Sequence, residues 1–329
     1  MQATQETEHA DVGYRPGRSW FSEFRIHKGV VHYHQTGARI RLDASLLRDI
    51  AAWSAYYVPV RLFALVRRVF QPGPRIWFTP QRPPPWYLAW IASSWIGARS
   101  AASAEGADAA FYFEDATWGS GVQTGYIPCI NGACTDVSKS EVARVFERVF
   151  GYPLAIDPER EAGAAVEKGE INGAHDGRIV TCPRSASPRS VYQRLIETGD
   201  EDYVEDLRTP CIGGRPVVVF IKRRPRAERF ANHNTSVSLG DPEKLFSADE
   251  IEKIGVFAHE MKLDWGGLDI LRDRASGRLY IVDVNKTDMP PLALPFLDKM
   301  RASRRLGLAL KELVRTFRAK SSIVSEPNH

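Results

Sequence analysis

At 329 residues the chain suffices for one large or two medium domains with a sizeable core, and its 43% hydrophobic and 26% charged residues exclude a disordered or fibrous protein. The net charge of +4 conceals an asymmetry, because residues 1–100 hold 13 Lys/Arg against 6 Asp/Glu, a surplus that suits an anionic substrate, a membrane surface or a plain solvated face. Four cysteines without CxxC spacing exclude a zinc ribbon and a disulfide scaffold, so a reducing cytoplasm is the expected setting.

Residues 1–18 are polar, lack the apolar core of a secretory signal and are expected to form a flexible leader. Alternation around Val30, Val31, His32, Tyr33 and His34 predicts a hairpin over residues 24–41. Apolar residues at three-to-four spacing predict a helix over 43–70, capped by Asp43 and broken or kinked at Pro59. Its second half is basic and amphipathic, which is compatible with peripheral membrane contact; no run reaches the roughly 20 apolar residues of a spanning helix. Short buried strands at 76–79 and 109–113 around a Trp-rich helix at 86–96 predict a small α/β domain ending near Gly132. Glu114 and Asp115 follow the second strand, where they either help bind a substrate or simply start a loop. Two histidines, His32 and His34, make too poor a ligand set to predict a metal there.

From Ser138 the pattern sharpens. Ser138 and Glu141 have capping-box spacing before a helix that Gly151 ends. Strands are predicted at 166–168, 178–182, 191–196 and 217–223, with a helix at 247–261 opened by Ser247. Two more strands follow at 267–271 and 279–284, then a basic helix from about 295 to 318. In the last strand pair, Asp283 and Asn285 are two residues apart and share one face, and a hairpin would bring Asp269 to the same pocket. Three hard oxygen donors on a rigid sheet suit Mg²⁺ completed by phosphate oxygens.

The run GGLDILRDRASGRLYIVDVN (residues 266–285) resembles the C-terminal signature of ATP-grasp enzymes, a glycine–apolar–Asp strand followed by one ending in Asp/Glu-x-Asn. Further segments resemble that family in the same order: Lys139 at a helix start, Lys168 before a glycine-containing loop, VYQRLI at 191–196, EDLRTPCIGGRPVVVFIKRR at 205–224 and RFANHN at 229–234. The resemblance covers about 60% of the chain. It implies an α/β (α+β) ATP-grasp fold with an N-terminal α/β lobe, divided as residues 1–18 leader, 19–135 N-terminal domain, 136–320 catalytic domain and 321–329 disordered tail. It implies ATP and Mg²⁺ as cofactors and Asp269, Asp283 and Asn285 as metal ligands. Nucleotide contacts would come from Lys139, Lys168, Gln193, Leu195, Ile196, Asp206, Arg229, Asn232 and Asn234, and catalytic charge from Arg208, Lys222 and Arg223. Arg223, Arg229 and His233 also stand as acceptor-binding residues.

The sequence departs from the family in its phosphate loop, EKGEINGAHDGR, which lacks a compact Gly/Ser run, and in Asp283, where glutamate is commoner. The implied function is an ADP-forming ligase that activates a small-molecule carboxylate as an acyl phosphate for attack by an amine or other nucleophile. A kinase acting on a hydroxyl of a sugar, inositol or lipid headgroup, and a non-catalytic nucleotide-binding protein, stay open as alternatives. No nucleic-acid-binding module is recognised, so nucleic acid is not an expected partner.

Overall fold

The computed structural model describes residues 24–33, 38–125, 127–174, 176–230 and 235–324; of residues 33, 38 and 320–324 only the backbone is described. The expected leader, His34 and His233 therefore lie outside the described residues, as do Asn232 and Asn234. The chain divides into two units, residues 1–52 and 53–329.

The first unit holds an antiparallel sheet of β1 (Phe24–His27), β2 (Val30–Tyr33) and β3 (Ala38–Arg41), one strand more than the expected hairpin. Its register sorts the side chains by the two-residue period of a strand. Ile26, Val31 and Ile40 form one row, whereas Arg25, His32 and Arg39 form a row on the opposite face, beside His27, Val30 and Arg41. None of the described residues of this unit is buried.

Helix α1 (Ala44–Phe70) starts at Asp43, whose carboxylate accepts the amides of Ser45 and Leu46 at 2.9 and 3.1 Å and so satisfies first-turn donors. The expected break at Pro59 does not occur, and the helix is continuous. Tyr56, Val60 and Ala64, at helical spacing around that proline, are all buried and provide a packing gain against the proline's cost.

In the second unit a parallel sheet of order β5–β4–β6–β7 is made from β4 (Arg75–Pro80), β5 (Arg99–Ser100), β6 (Ala109–Phe113) and β7 (Cys129–Ile130), with α2 (Leu88–Trp95) beside it. All five residues of β6 are buried, as expected of a strand covered on both faces. Helix α3 (Lys139–Phe150) begins at Ser138, which accepts the Glu141 amide, and ends at Gly151 in the left-handed region. The capping box is only half made there, because the Glu141 carboxylate turns instead to Arg144.

A small antiparallel sheet follows, of order β10–β8–β9: β8 (Gly163–Gly169), β9 (Arg178–Cys182) and β10 (Ser190–Arg194). A large antiparallel sheet then runs β14–β13–β11–β15–β16, comprising β11 (Tyr203–Ile212), β13 (Val219–Pro225), β14 (Ser236–Gly240), β15 (Trp265–Arg272) and β16 (Leu279–Asn285), with β12 (Arg215–Pro216) paired to β11. Short α4 (Pro242–Leu245) precedes α5 (Ala248–Glu260), where Ser247 and Glu250 complete a reciprocal capping box. Helix α6 (Phe296–Val324) continues past the expected end at residue 318 and into the expected tail. Among the described residues no helix is long and apolar enough to cross a membrane.

The large sheet separates two cores. Leu207, Cys211, Val219, Leu268, Ile270 and Val284 pack on one face with α3 and α5 residues such as Phe146 and Phe257. On the opposite face, Ile212, Phe220 and Trp265 pack with the parallel sheet, α2 and α6. Only part of that second face is apolar, and the remainder carries the charged residues of the site.

Candidate active site

Strand parity builds the site. Asp269 of β15 lies directly opposite Asp283 of β16 and, on its other side, opposite Arg208 of β11, while Lys222 of β13 lies opposite Asp206. These side chains therefore share one face of the large sheet. The Arg208 guanidinium donates to Asp269 at 2.5 Å and to Asp288 at 2.7 and 3.0 Å, and the Lys222 ammonium stands 3.7 Å from Asp269. Burial opposes ionisation of Asp269, but Arg208 and Lys222 outweigh it and hold the carboxyl well below the usual range. For Asp283 and Asp288 burial dominates and raises both, despite Lys168 beside the first and Arg208 beside the second.

One observation tests a divalent cation here. Asp269 Oδ1 is buried without a hydrogen bond, an acceptor left over on a rigid strand beside a second carboxylate. Asp269 and Asp283 thus fit Mg²⁺, which takes one or two carboxylates plus phosphate oxygens and water. Asn285 fits less well as it stands: its Oδ1 already accepts the Thr287 amide at 2.9 Å, and the Thr287 hydroxyl, which donates to Asp115, lies 3.1 Å from it. Among the described residues no cluster of three His, Cys, Asp or Glu side chains could hold a metal alone.

The small sheet supplies the opposite wall. Lys168 and Val166 of β8 share a face with Val191 and Gln193 of β10 and Ile179 of β9. The Lys168 ammonium donates to the Val282 carbonyl at 3.1 Å, next to Asp283. Its burial pulls its pKa down to about 8, although Asp283 acts in the other direction. Gln193 Nε2 is buried and unpartnered, and Ile179 on the same face is exposed. An orphan amide donor amid apolar side chains is the lining a flat, nitrogen-bearing ring requires. Lys139 donates to the Ile171 carbonyl at 2.9 Å and Asn172 to the Val284 carbonyl at 3.1 Å, so the loop after β8 is tied to both α3 and β16.

Two predicted residues are not brought to this cluster. Arg223 lies on the opposite face of β13 from Lys222, because neighbouring strand residues alternate. It pairs with Asp200 at 2.6 Å and Glu205 at 3.6 Å, against the Tyr203 ring. Arg229 binds the Ile196 carbonyl at 3.0 Å and the Glu197 carboxylate at 2.7 Å, which pins the segment after β10 instead of reaching toward phosphate. That segment contains half-buried Leu195 and buried Ile196. Asp206 shares the face of Arg208 and Lys222 but is paired to Arg224. Conversely, Asp288 and Lys286, which the sequence pattern does not single out, lie directly after β16. What they meet lies far away in the chain: Asp288 bonds Arg208 from 80 residues on, and the Lys286 ammonium stands 5.1 Å from the Tyr112 ring centroid. The only local signal was two charged residues between β16 and Pro290.

No family model matches the chain, and no curated protein matches it either. Solved structures do. The ATP-grasp ligase PsnB complexed with a minimal precursor is 16% identical, with 58% of this chain and 63% of that chain covered and a TM-score of 0.39. A RimK domain ATP-grasp protein from Sphaerobacter thermophilus is 14% identical over 73% of this chain and 99% of that one, TM-score 0.44. D-alanine–D-alanine ligase from Bacillus anthracis complexed with ATP is 12% identical over 75% and 99%, TM-score 0.41. The chain spans less than two thirds of the PsnB chain.

Proposed function

We propose that the chain is a Mg-ATP-dependent, ADP-forming ligase of the ATP-grasp type, with residues 136–320 as its catalytic domain and residues 19–135 as its N-terminal lobe. The observation that carries this reading is the carboxylate pair Asp269–Asp283 on the large sheet, faced by Lys168 and the unpartnered Gln193 amide of the small sheet and flanked by Arg208 and Lys222.

In this reading the adenine sits on the Val166, Ile179 and Val191 face, with Gln193 and the backbone of Leu195 and Ile196 as hydrogen-bonding partners. Lys139 and Lys168 neutralise the inner phosphates as point charges. Asp269 and Asp283 would hold the cation, and Asn285 would join them if Thr287 yields; Mg²⁺ bound there would neutralise phosphate charge and polarise the γ-phosphoryl group. Arg208, held rigid by Asp288, and Lys222 stabilise the charge that develops as the phosphoryl group passes to an acceptor carboxylate. The acyl phosphate that results is attacked by an amine or other nucleophile, and phosphate leaves. Arg223 and Arg229 serve the surroundings of the site, by pairing with Asp200 and Glu197.

The test is thermal melting of wild type and Asp283→Asn with ATP plus Mg²⁺, with ATP plus EDTA, and in buffer alone. A ligand at a hundred times its Kd stabilises by roughly 2.7 kcal/mol, a visible shift. The expected result is a Mg²⁺-dependent shift in wild type that Asp283→Asn loses. No shift with any nucleotide at millimolar concentration rules the reading out. Release of free phosphate, measured afterwards with acceptors, separates a ligase from a kinase.

A further inference from the structure

Helix α1 leaves an apolar stripe on the surface of the second unit. Val58, Leu62, Leu65, Val66, Val69 and Phe70 recur at the spacing of one helix face, and all six are exposed, Val69 and Phe70 by 74% and 78%. Exposed apolar residues scattered singly need no explanation, but six in one stripe do. Tyr56, Val60 and Ala64 are buried on the opposite side of the helix. There the Tyr56 hydroxyl donates to the Pro291 carbonyl at 3.3 Å, and a Cβ on Gly97 would meet that of Arg67 at 3.0 Å, so the helix is anchored with its stripe outward. Arg61 and Arg68 line one flank of the stripe. The Arg68 Nε is buried without a hydrogen bond, and burial, followed by the charge of Arg61, lowers its pKa. Neither arginine forms an ion pair with a described residue. The sequence gives the reason, since no Asp or Glu occurs between Asp49 and Glu105.

We propose that this face of α1 docks the protein on an anionic lipid surface, with the six apolar side chains entering the boundary of the acyl chains and Arg61 and Arg68 meeting headgroup phosphates. A helix whose apolar face is bordered by cations lies in the plane of a bilayer interface in this way, without spanning it. The charge selects this occupant. A second copy seated on the same face would bring the arginines of both chains together with no carboxylate between them, and like charges oppose that contact. A nucleic acid would engage the arginines through its phosphates but leave the six apolar residues without a partner. The proposal is independent of the ligase reading, because it concerns where the protein acts and not what it catalyses.

The test is flotation of the whole chain at low salt with vesicles of phosphatidylcholine alone, and with vesicles of equal parts phosphatidylcholine and phosphatidylserine. Wild type should float with the mixed vesicles and not with phosphatidylcholine alone. Leu62→Ser combined with Val69→Ser changes two exposed positions, so the melting temperature should hold while the partition onto mixed vesicles falls by at least about tenfold. Arg61→Gln should lower it about fivefold, the share of one cation near an anionic surface. No flotation with the mixed vesicles overturns the proposal, as does equal flotation with phosphatidylcholine alone. Flotation that the double variant keeps in full overturns it too, since binding would then lie elsewhere on the chain. Sedimentation equilibrium covers the remaining case: a wild-type dimer that the double variant dissociates, in a protein that does not float, overturns the proposal in favour of a contact between copies.

Discussion

Lys168 concentrates the conflict built into this site. Its ammonium is buried against β16, so the folded protein holds its proton less tightly than an ordinary lysine and titrates at about pH 8. The unfolded chain keeps that proton to the ordinary lysine value. Between these limits the unfolded state binds more protons than the folded one, so this group adds stability as pH rises through the window and costs stability below it. The gap in unfolding free energy between wild type and Lys168→Met, measured by urea titration with EDTA present, should therefore shift in favour of wild type from about pH 8 toward pH 10. A gap that stays flat with pH would mean that the ammonium is compensated in the fold. Arg208 is the opposite case. Burial acts against its charge, but Asp269 and Asp288 together overcome it and keep the guanidinium ionised, which suits a group meant to meet developing negative charge.

At the scale of elements, the sheets divide into those that hold a site and one that holds little of itself. Asp269 in β15 and Asp283 and Asn285 in β16 stand among apolar residues, and the period of two of a strand made their common face legible in the sequence: Asp283 and Asn285 had to share a face, and Asp269 could join them only across a hairpin. Ser138 and Ser247 were legible because a cap is a local event. Arg223 and Arg229 were misplaced for the converse reason. A motif fixes order along the chain, but the face on which a residue lands depends on strand register, and Arg229 is captured by Glu197 from another segment. The sheet β1–β2–β3 lacks any buried residue among those described, and three short strands with no covered face gain little hydrophobic stabilisation. Its amides should exchange with solvent orders of magnitude faster than those of β11 and β15, measured by hydrogen exchange under native conditions. Comparable protection would show that the sheet is covered in solution.

At the scale of the whole second unit, both cores are built on the same strands. Residues of β11, β13 and β15 contribute Ile212, Phe220 and Trp265 to one core and Cys211, Val219 and Leu268 to the other, on alternate sides of the same backbone. A shift of strand register would therefore break both cores at once, since each strand position that leaves one core carries its neighbour out of the other. The tryptophans give a one-sided probe of this coupling: Trp86, Trp90, Trp95 and Trp265 belong to the core with α2 and α6, whereas the core with α3 and α5 contains tyrosine and phenylalanine but no tryptophan among its described members. Four of the eight tryptophans thus belong to one core and none of the described ones to the other, so tryptophan fluorescence is weighted toward the first core, whereas far-ultraviolet circular dichroism follows both. In urea the two signals should trace coincident transitions with one midpoint, the mark of a single cooperative unit. A fluorescence midpoint separated from the dichroism midpoint would mean that the sheet can part from one of its layers. The site on its charged face would then sit at a seam between two folding units, and under the proposed function ATP, which would contact both the small and the large sheet, should bring the midpoints together.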